Sequence, residues 1–512
     1  LTPAFDQSEG LERYEAFLEE LVELIVGKYD GSLKAEHGTG VNMAPYVERE
    51  WGAKATEMMW RVKALADPRG VLNPDSVLNR DPGVHLRNLK SQPEIEESAA
   101  HCVECGFCEP VCPSRNTTTT PRQRIAIRRE MARQVEGSPV YESLMADFEH
   151  EAIETCAADG TCQQACPVAI DTGALMKEFR RRERSEREEA AAASLARRYA
   201  AAEAAARAGL RGARAASSLL GRERVEAIPL AIRRRVSAEL IPTLPASLPA
   251  PAAAGMPQTA RAGAAAVYMP ACINRVFGNP DGLGGAGGPS LPEALVAVSA
   301  RAGQPVWIPG DVAGHCCGTP WSSKGYRRGH ELMAVKTARS MWRWSEGGSL
   351  PVVIDASSCA LGLIEELAPH LPEAERERFL QIEVLDSITW VHDRLLEHLR
   401  VGRRAPSAAI HPTCSVTRMG TTEKLQAIAR ALAEEVSIPA GTTCCGMAGD
   451  RGLLHPELPA SALADAAADL AKHPAVEHLC SNRTCELALQ GVTGAPYESF
   501  VLLLERLTRG SA

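Results

Sequence analysis

Sixteen cysteines, bunched rather than dispersed, restrict what this chain can become. Four fall within 102–112, three within 156–166, and adjacent pairs stand at 316–317 and 444–445. Small secreted proteins use cysteines as disulfide staples, but a chain of 512 residues is too long to need them. Cysteines adjacent or two apart, with no basic-plus-apolar leader after Leu1, are expected to be metal or cluster ligands in a reducing compartment. Leu1 in place of an initiator Met predicts an open-ended fragment. No run of about 18 apolar residues occurs. The expected location is therefore cytoplasmic, with at most peripheral contact on the inner face of a membrane. Hydrophobic content of 45% and charged content of 23% exclude a fibre or a disordered chain. No nucleic-acid partner is expected at a net charge of -8.

Cys102-x2-Cys105-x2-Cys108-x3-Cys112-Pro113 has the spacing of a bacterial iron–sulfur ferredoxin. Three thiolates on one tight loop reach three irons of a cubane, and Gly106 lets the backbone turn close to sulfide. Zinc, the alternative, more often takes paired Cys-x2-Cys units. The second run, Cys156-x2-Asp159-x2-Cys162-x3-Cys166-Pro167, keeps the spacing with Asp159 in place of a cysteine. Two-cluster ferredoxins exchange their fourth cysteines. That resemblance implies one 4Fe-4S cluster on Cys102, Cys105, Cys108 and Cys166, and a second on Cys112, Cys156 and Cys162. Asp159 or solvent would then hold the last iron, and a carboxylate is a harder ligand than thiolate. That iron should be the labile one.

Apolar residues at helical intervals predict helices over 11–26 and 49–66, and further helices are expected over 121–135 and 141–155. The Ala-, Arg- and Glu-rich stretch 180–240 reads as long solvated helices. Five prolines among Ala and Gly in 242–264 read as a linker. Beyond it the chain repeats itself. Residues 266–369 alternate strand and helix with Cys272, Cys316-Cys317-Gly318 and Cys359. Residues 407–490 do the same with Cys414, Cys444-Cys445-Gly446 and Cys485. Strands are expected at 305–308, 351–355, 435–438 and 476–480, with the cysteines just past strand ends, where open α/β sheets place their ligands. Six buried free cysteines recurring in register by packing alone is the weaker explanation.

These repeats resemble the cysteine-rich CCG domains of heterodisulfide reductase and of the iron–sulfur subunits of lactate and anaerobic glycerol-3-phosphate dehydrogenases. The resemblance rests on Gly314-His315-Cys316-Cys317-Gly318 and Thr443-Cys444-Cys445-Gly446. That family ends each repeat with Cys-x2-Cys. Here the first repeat has only Cys359, and Cys480 stands out of register before Cys485. Four in-register thiols per repeat suit one further Fe–S cluster, which the resemblance favours, or a zinc.

Near the beginning, Lys34-Ala35-Glu36-His37-Gly38-Thr39-Gly40 and Lys63-Ala64-Leu65-Ala66-Asp67-Pro68-Arg69-Gly70-Val71-Leu72-Asn73-Pro74 resemble the C-terminal end of the FAD-linked oxidase family. The whole order resembles the fused FAD- and iron–sulfur-containing D-2-hydroxyacid dehydrogenases. The implied fold class is multidomain α/β. It comprises the end of an α+β FAD-linked oxidase domain (1–85), an α-helical ferredoxin-type domain with two clusters (90–185), a helical segment and linker (186–264), and two cysteine-rich repeats (265–402 and 403–507).

The resemblance makes His37 the base, Glu36 a ligand of a divalent metal such as zinc, and Gly38, Gly40 and Asn73 neighbours of FAD. Histidine suits the proton transfer because its pKa lies near working pH. No FAD phosphate-binding loop occurs, and Gly278–Gly288 reads as an insert loop, so most of the flavin site is expected upstream. His101 is expected to be a loop residue beside the cluster, and His315, His411 and His455, near the Cys-Cys-Gly loops, are expected to be structural.

The implied activity is oxidation of a small D-2-hydroxy acid, D-lactate or D-2-hydroxyglutarate, with electrons passed to a quinone, cytochrome or flavoprotein acceptor. A non-catalytic electron-transfer subunit explains residues 95–490 equally well but leaves Glu36 and His37 idle. A zinc-stapled scaffold would be colourless.

Overall fold

The computed structural model describes residues 10–34, 40–87, 89, 93–235, 242–243, 249–279 and 288–510. It divides into two units, Leu1–Glu94 and Ile95–Ala512.

In the first unit, helix Leu11–Val22 runs on as a wider π-turn over Glu23–Lys28. Its apolar face, Leu18 and Val22, packs with Leu33 and Tyr46. A second helix, Val47–Ala66, bends at Gly52, whose φ of 76° is open to glycine. It ends at Asp67, where the sequence places its breakers.

The second unit starts with the ferredoxin-like region. Pro at N1 and a Thr120/Gln123 capping box open helix Pro121–Arg133. Helix Pro139–Phe148 continues as a π-turn through Glu154. Ile125, Met131, Phe148, Ile153, Leu175 and Met176 form the core between them.

Four helices follow, Thr172–Glu183, Glu186–Arg197, Tyr199–Leu220 and Arg222–Arg235. The expectation of solvated helices fails for part of this stretch. Ala192, Ala193 and Ala196 are buried, as are Glu189 and Glu203. Glu189 accepts the N–H groups of Arg327 and Arg328, both at 2.9 Å, at the open end of helix Arg327–Trp344. The supposed linker also packs, where described. Ala252 donates its N–H to Val276 O at 2.9 Å, and Thr259 Oγ1 accepts from Ile308 N at 2.7 Å. Residues 280–287 of the insert loop lie outside the described residues.

Two parallel four-stranded sheets carry the repeats. The first contains β1 (Ala266–Met269), β2 (Val306–Trp307), β3 (Val352–Ile354) and β4 (Val384–Asp386). The second contains β5 (Ala405–Ile410), β6 (Ala433–Ser437), β7 (Glu477–Cys480) and β8 (Glu498–Ser499). Their orders correspond, β2-β1-β3-β4 and β6-β5-β7-β8. β1 and β3 are buried along their whole length, as parallel strands covered on both faces must be. The edge strands β4 and β8, three and two residues long, were not foreseen.

Candidate metal centres

The two ferredoxin-like runs fold into the same loop. Two residues past the first cysteine of each run, Glu104 and Ala158 take positive φ (56° and 48°). Two further on, Gly106 and Gly160 do so again (85° and 76°). In each loop the first of these donates its backbone N–H to the first cysteine, Glu104 N to Cys102 Sγ and Ala158 N to Cys156 Sγ, both at 3.4 Å. Such bonds stabilise thiolate on iron.

The thiols sort into two neighbourhoods. Cys102, Cys108 and Cys166 act on one another's charge, and Cys112 and Cys162 each act with Cys156. Cys105 is exposed. Burial pushes the Cys108 thiol up to about 11 and raises Cys112 and Cys162 as well. Metal binding must therefore release protons.

Three buried arginines surround these loops. Arg124 donates to Ser114 Oγ at 2.8 Å, which in turn lies 3.1 Å from Cys112 Sγ. Arg129 donates to Cys102 O at 2.8 Å. Arg180 donates to Ile153 O and Cys156 O, and on its other arm to Ser323 O, at 2.5, 2.6 and 2.7 Å. Buried cations suit an anionic cluster, so loop shape, N–H···S bonds and charge all fit the group the spacing implies.

In each repeat the cysteines converge past the strand ends. In the first, Cys272 Sγ lies 3.5 Å from Cys316 Sγ, and a chain of thiol contacts runs on through Cys317 to Cys359. The Tyr199 hydroxyl bonds to Cys272. In the second repeat the chain runs Cys414, Cys444, Cys445, Cys485, with Cys445 Sγ 3.0 Å from Cys485 Sγ. Cys480, out of register in sequence, joins it through Cys485. The second repeat thus gathers five thiols. A polar relay ties the repeats together: Ser357 Oγ lies 3.0 Å from both Thr413 Oγ1 and Ser481 Oγ, and Ser358 Oγ donates to Asn482 Oδ1 at 2.9 Å.

Asp159 does not face the thiols of its own run alone. Its carboxylate oxygen and the Sγ atoms of Cys414 and Cys444 all lie within 4.8 Å of one another. Thr161 Oγ1 donates to it at 2.7 Å. Of the nearby histidines, His315 and His455 are engaged in structural contacts. His315 bonds to Ser340 Oγ at 2.9 Å and packs edge-on to Trp344; burial lowers its pKa to about 4. His455 lies 3.2 Å from Glu457. His411 is buried, and burial lowers its pKa too.

In the first unit, Glu36, His37 and Gly38 lie outside the described residues. Gly40 takes φ 62° with nothing within 4 Å of a would-be Cβ, so its backbone is approachable; its carbonyl accepts from Val77 N at 2.9 Å. Asn73 is exposed at φ 43°. Asp67 organises the turn between them. It accepts from Lys63 Nζ at 2.7 Å, Leu72 N at 2.8 Å and Val71 N at 3.0 Å. The Lys63 ammonium and these N–H groups hold its carboxyl at about 2. Beside the turn, Trp60, Glu57, Leu78 and Arg80 help line a groove of about 560 Å³. Among the described residues no helix is long and apolar enough to cross a membrane.

Residues 1–77 match the C-terminal domain of FAD linked oxidases, 98–170 a 4Fe-4S dicluster domain, and 408–490 a cysteine-rich domain. The chain is similar to a D-2-hydroxyglutarate dehydrogenase of Haemophilus influenzae, 25% identical over 232 residues, covering 35% of this chain and 22% of that protein. A protein of the same name from Stutzerimonas stutzeri is 42% identical over 52 residues, 10% of this chain and 11% of that one. A mitochondrial D-lactate dehydrogenase [cytochrome] of Arabidopsis thaliana is 35% identical over 77 residues, 14% of this chain and 13% of that one. The chain spans between 11% and 22% of the length of these relatives.

Proposed function

On a chain whose domains are those of the FAD- and iron–sulfur-containing D-2-hydroxyacid dehydrogenase family, we propose an oxidoreductase that converts a D-2-hydroxy acid to its 2-oxo acid. D-Lactate and D-2-hydroxyglutarate are the substrates the relatives' names suggest, and the acceptor is a quinone, cytochrome or flavoprotein. The observation that carries this reading is the joining, in one polypeptide, of an FAD-linked oxidase segment to two matched cluster loops.

Bound FAD would supply hydride acceptance, and 4Fe-4S clusters the capacity to hold electrons singly. His37 takes the substrate's hydroxyl proton. Glu36 would hold a divalent ion, which would supply a grip on the substrate carboxylate and hydroxyl. Gly38, Gly40 and Asn73 give the flavin and substrate close access to backbone. Cys102, Cys105, Cys108 and Cys166 would hold one cluster. Cys112, Cys156 and Cys162 would hold the other; Arg129, beside Cys102, suits the charge of the first, and Arg124 and Arg180, beside Cys112 and Cys156, that of the second.

In the full-length enzyme, His37→Ala is expected to abolish hydroxy-acid turnover while leaving the cluster absorbance unchanged. Activity within a factor of a few of the parent would overturn His37 as base. It would favour an electron-transfer subunit that serves another dehydrogenase.

A further inference from the structure

The second ferredoxin-like run spends its odd residue on a different centre. We propose that Asp159, Cys414 and Cys444 ligate one metal ion of the zinc or ferrous class, so that the ferredoxin-like region supplies a ligand to the second cysteine-rich repeat. Their three donor atoms lie within 4.8 Å of one another, and this is the one such group among the described residues. Tetrahedral bonds of about 2.3 Å put donors roughly 4 Å apart. A cubane spreads its terminal thiolates over separate irons.

The donor set has a chemical preference. Two thiolates select zinc or iron, and one carboxylate keeps the ion at the borderline of softness rather than favouring copper(I). The carboxylate is fixed from behind. Thr161 Oγ1 bonds to the Asp159 carboxylate at 2.7 Å, the kind of support that orients a ligating oxygen. Cys414 opens the short helix Cys414–Arg418 after β5, and Cys444 follows β6.

The approach of the two regions is built, not incidental. Arg418 Nη1 donates to Asp159 O at 3.3 Å across 259 residues of sequence. The Arg418 guanidinium sits where a Cβ on Gly160 would be, and Gly160 itself takes φ 76°, a conformation that favours glycine. Arg451 pairs with Glu154 at 2.5 Å, and Arg115 with Asp465 at 2.9 Å, on the same boundary. The first repeat has a phenol, Tyr199, beside Cys272 instead. It is therefore the internal control. The site stands or falls independently of the substrate assigned above.

The test is metal content of the full chain, purified anaerobically, with zinc, iron and acid-labile sulfide counted per chain. Asp159→Ala, Cys414→Ala and Cys444→Ala are each expected to lose the same single metal equivalent. The double variant Asp159→Ala/Cys414→Ala should lose no more than either alone. Tyr199→Phe should lose none. Asp159→Cys, which keeps a ligand, should restore the equivalent and, with cobalt(II) as probe, intensify the thiolate-to-metal charge-transfer band. The proposal is overturned if Asp159→Ala loses iron and sulfide in the pattern of Cys162→Ala, or loses no metal at all. A double variant losing the sum of the two singles overturns it as well.

Discussion

The two cysteine-rich repeats share a sheet order and strand-end thiols but are closed by different parts of the chain. The first is sealed by helix Tyr199–Leu220, which brings Tyr199 to Cys272 and Glu203 to Arg275. The second is sealed by the ferredoxin-like loop, which brings Asp159 to Cys414 and Cys444. Each repeat carries an arginine on the helix that its first cysteine opens, Arg275 and Arg418. Arg275 and Glu203 are each 2% exposed, whereas Arg418 and Glu365 are 17% and 39% exposed. A duplicated scaffold has thus been given one dry closure and one that doubles as a boundary with the ferredoxin-like region.

The largest expected difference follows from that contrast. Glu203→Ala strands a buried guanidinium and should lower the unfolding free energy of the first repeat by about 3–5 kcal/mol. Glu365→Ala, which removes the first-repeat partner of Arg418, should cost about 0–1 kcal/mol. Urea titrations measure both, and equal losses would break the comparison.

A second difference lies in the acids at the edge strands. Burial raises both Asp386 at the end of β4 and Glu498 in β8, but Asp386 caps a helix, accepting from Thr389 N at 2.8 Å. Glu498 is pushed up to about 7, against the pull of Arg506. Its ordinary value is near 4.3, so ionisation favours the unfolded chain. Stability should be greatest below about pH 4.5 on this account and fall by up to ~3 kcal/mol as pH rises through 7. Glu498→Gln should flatten that slope in pH-resolved denaturation; a slope that persists belongs to another group.

The smallest difference concerns the glycines after the paired cysteines. Both take positive φ, 91° at Gly318 and 73° at Gly446. A Cβ on Gly446 would stand 2.7 Å from Leu458 O, which is backbone, while one on Gly318 would meet the His330 side chain. Gly446→Ala should cost about 2–3 kcal/mol and Gly318→Ala roughly 1 kcal/mol less, because an imidazole can turn and a carbonyl in the chain cannot. Thermal melts of the two variants rank them.

What the sequence made legible was local. The Cys-x2-Cys-x2-Cys intervals dictate one loop shape, and the positive φ angles at matched positions are that shape. The duplication was legible because strand ends and cysteines recur together. The rest depended on distance along the chain. Asp159 occupies a cysteine's place, yet its partners lie in the last third of the sequence. Cys480 falls out of register when the motif is counted from Cys485, while the end of β7 delivers its thiol to the same cluster of sulfurs. The helices after 185 looked solvated because alanine buries without drawing an apolar stripe. Glu189 and Glu203 looked exposed because the N–H groups and guanidinium they satisfy belong to residues far downstream.

Arg180 has a kinetic consequence. A fully enclosed guanidinium holds carbonyls of both the second ferredoxin-like run and the first repeat and clamps the two regions together at this point. In the electron-transfer chain proposed above, tunnelling between their centres would run at one fixed separation, indifferent to solvent viscosity, and the chain would behave as soldered wiring rather than a hinged switch.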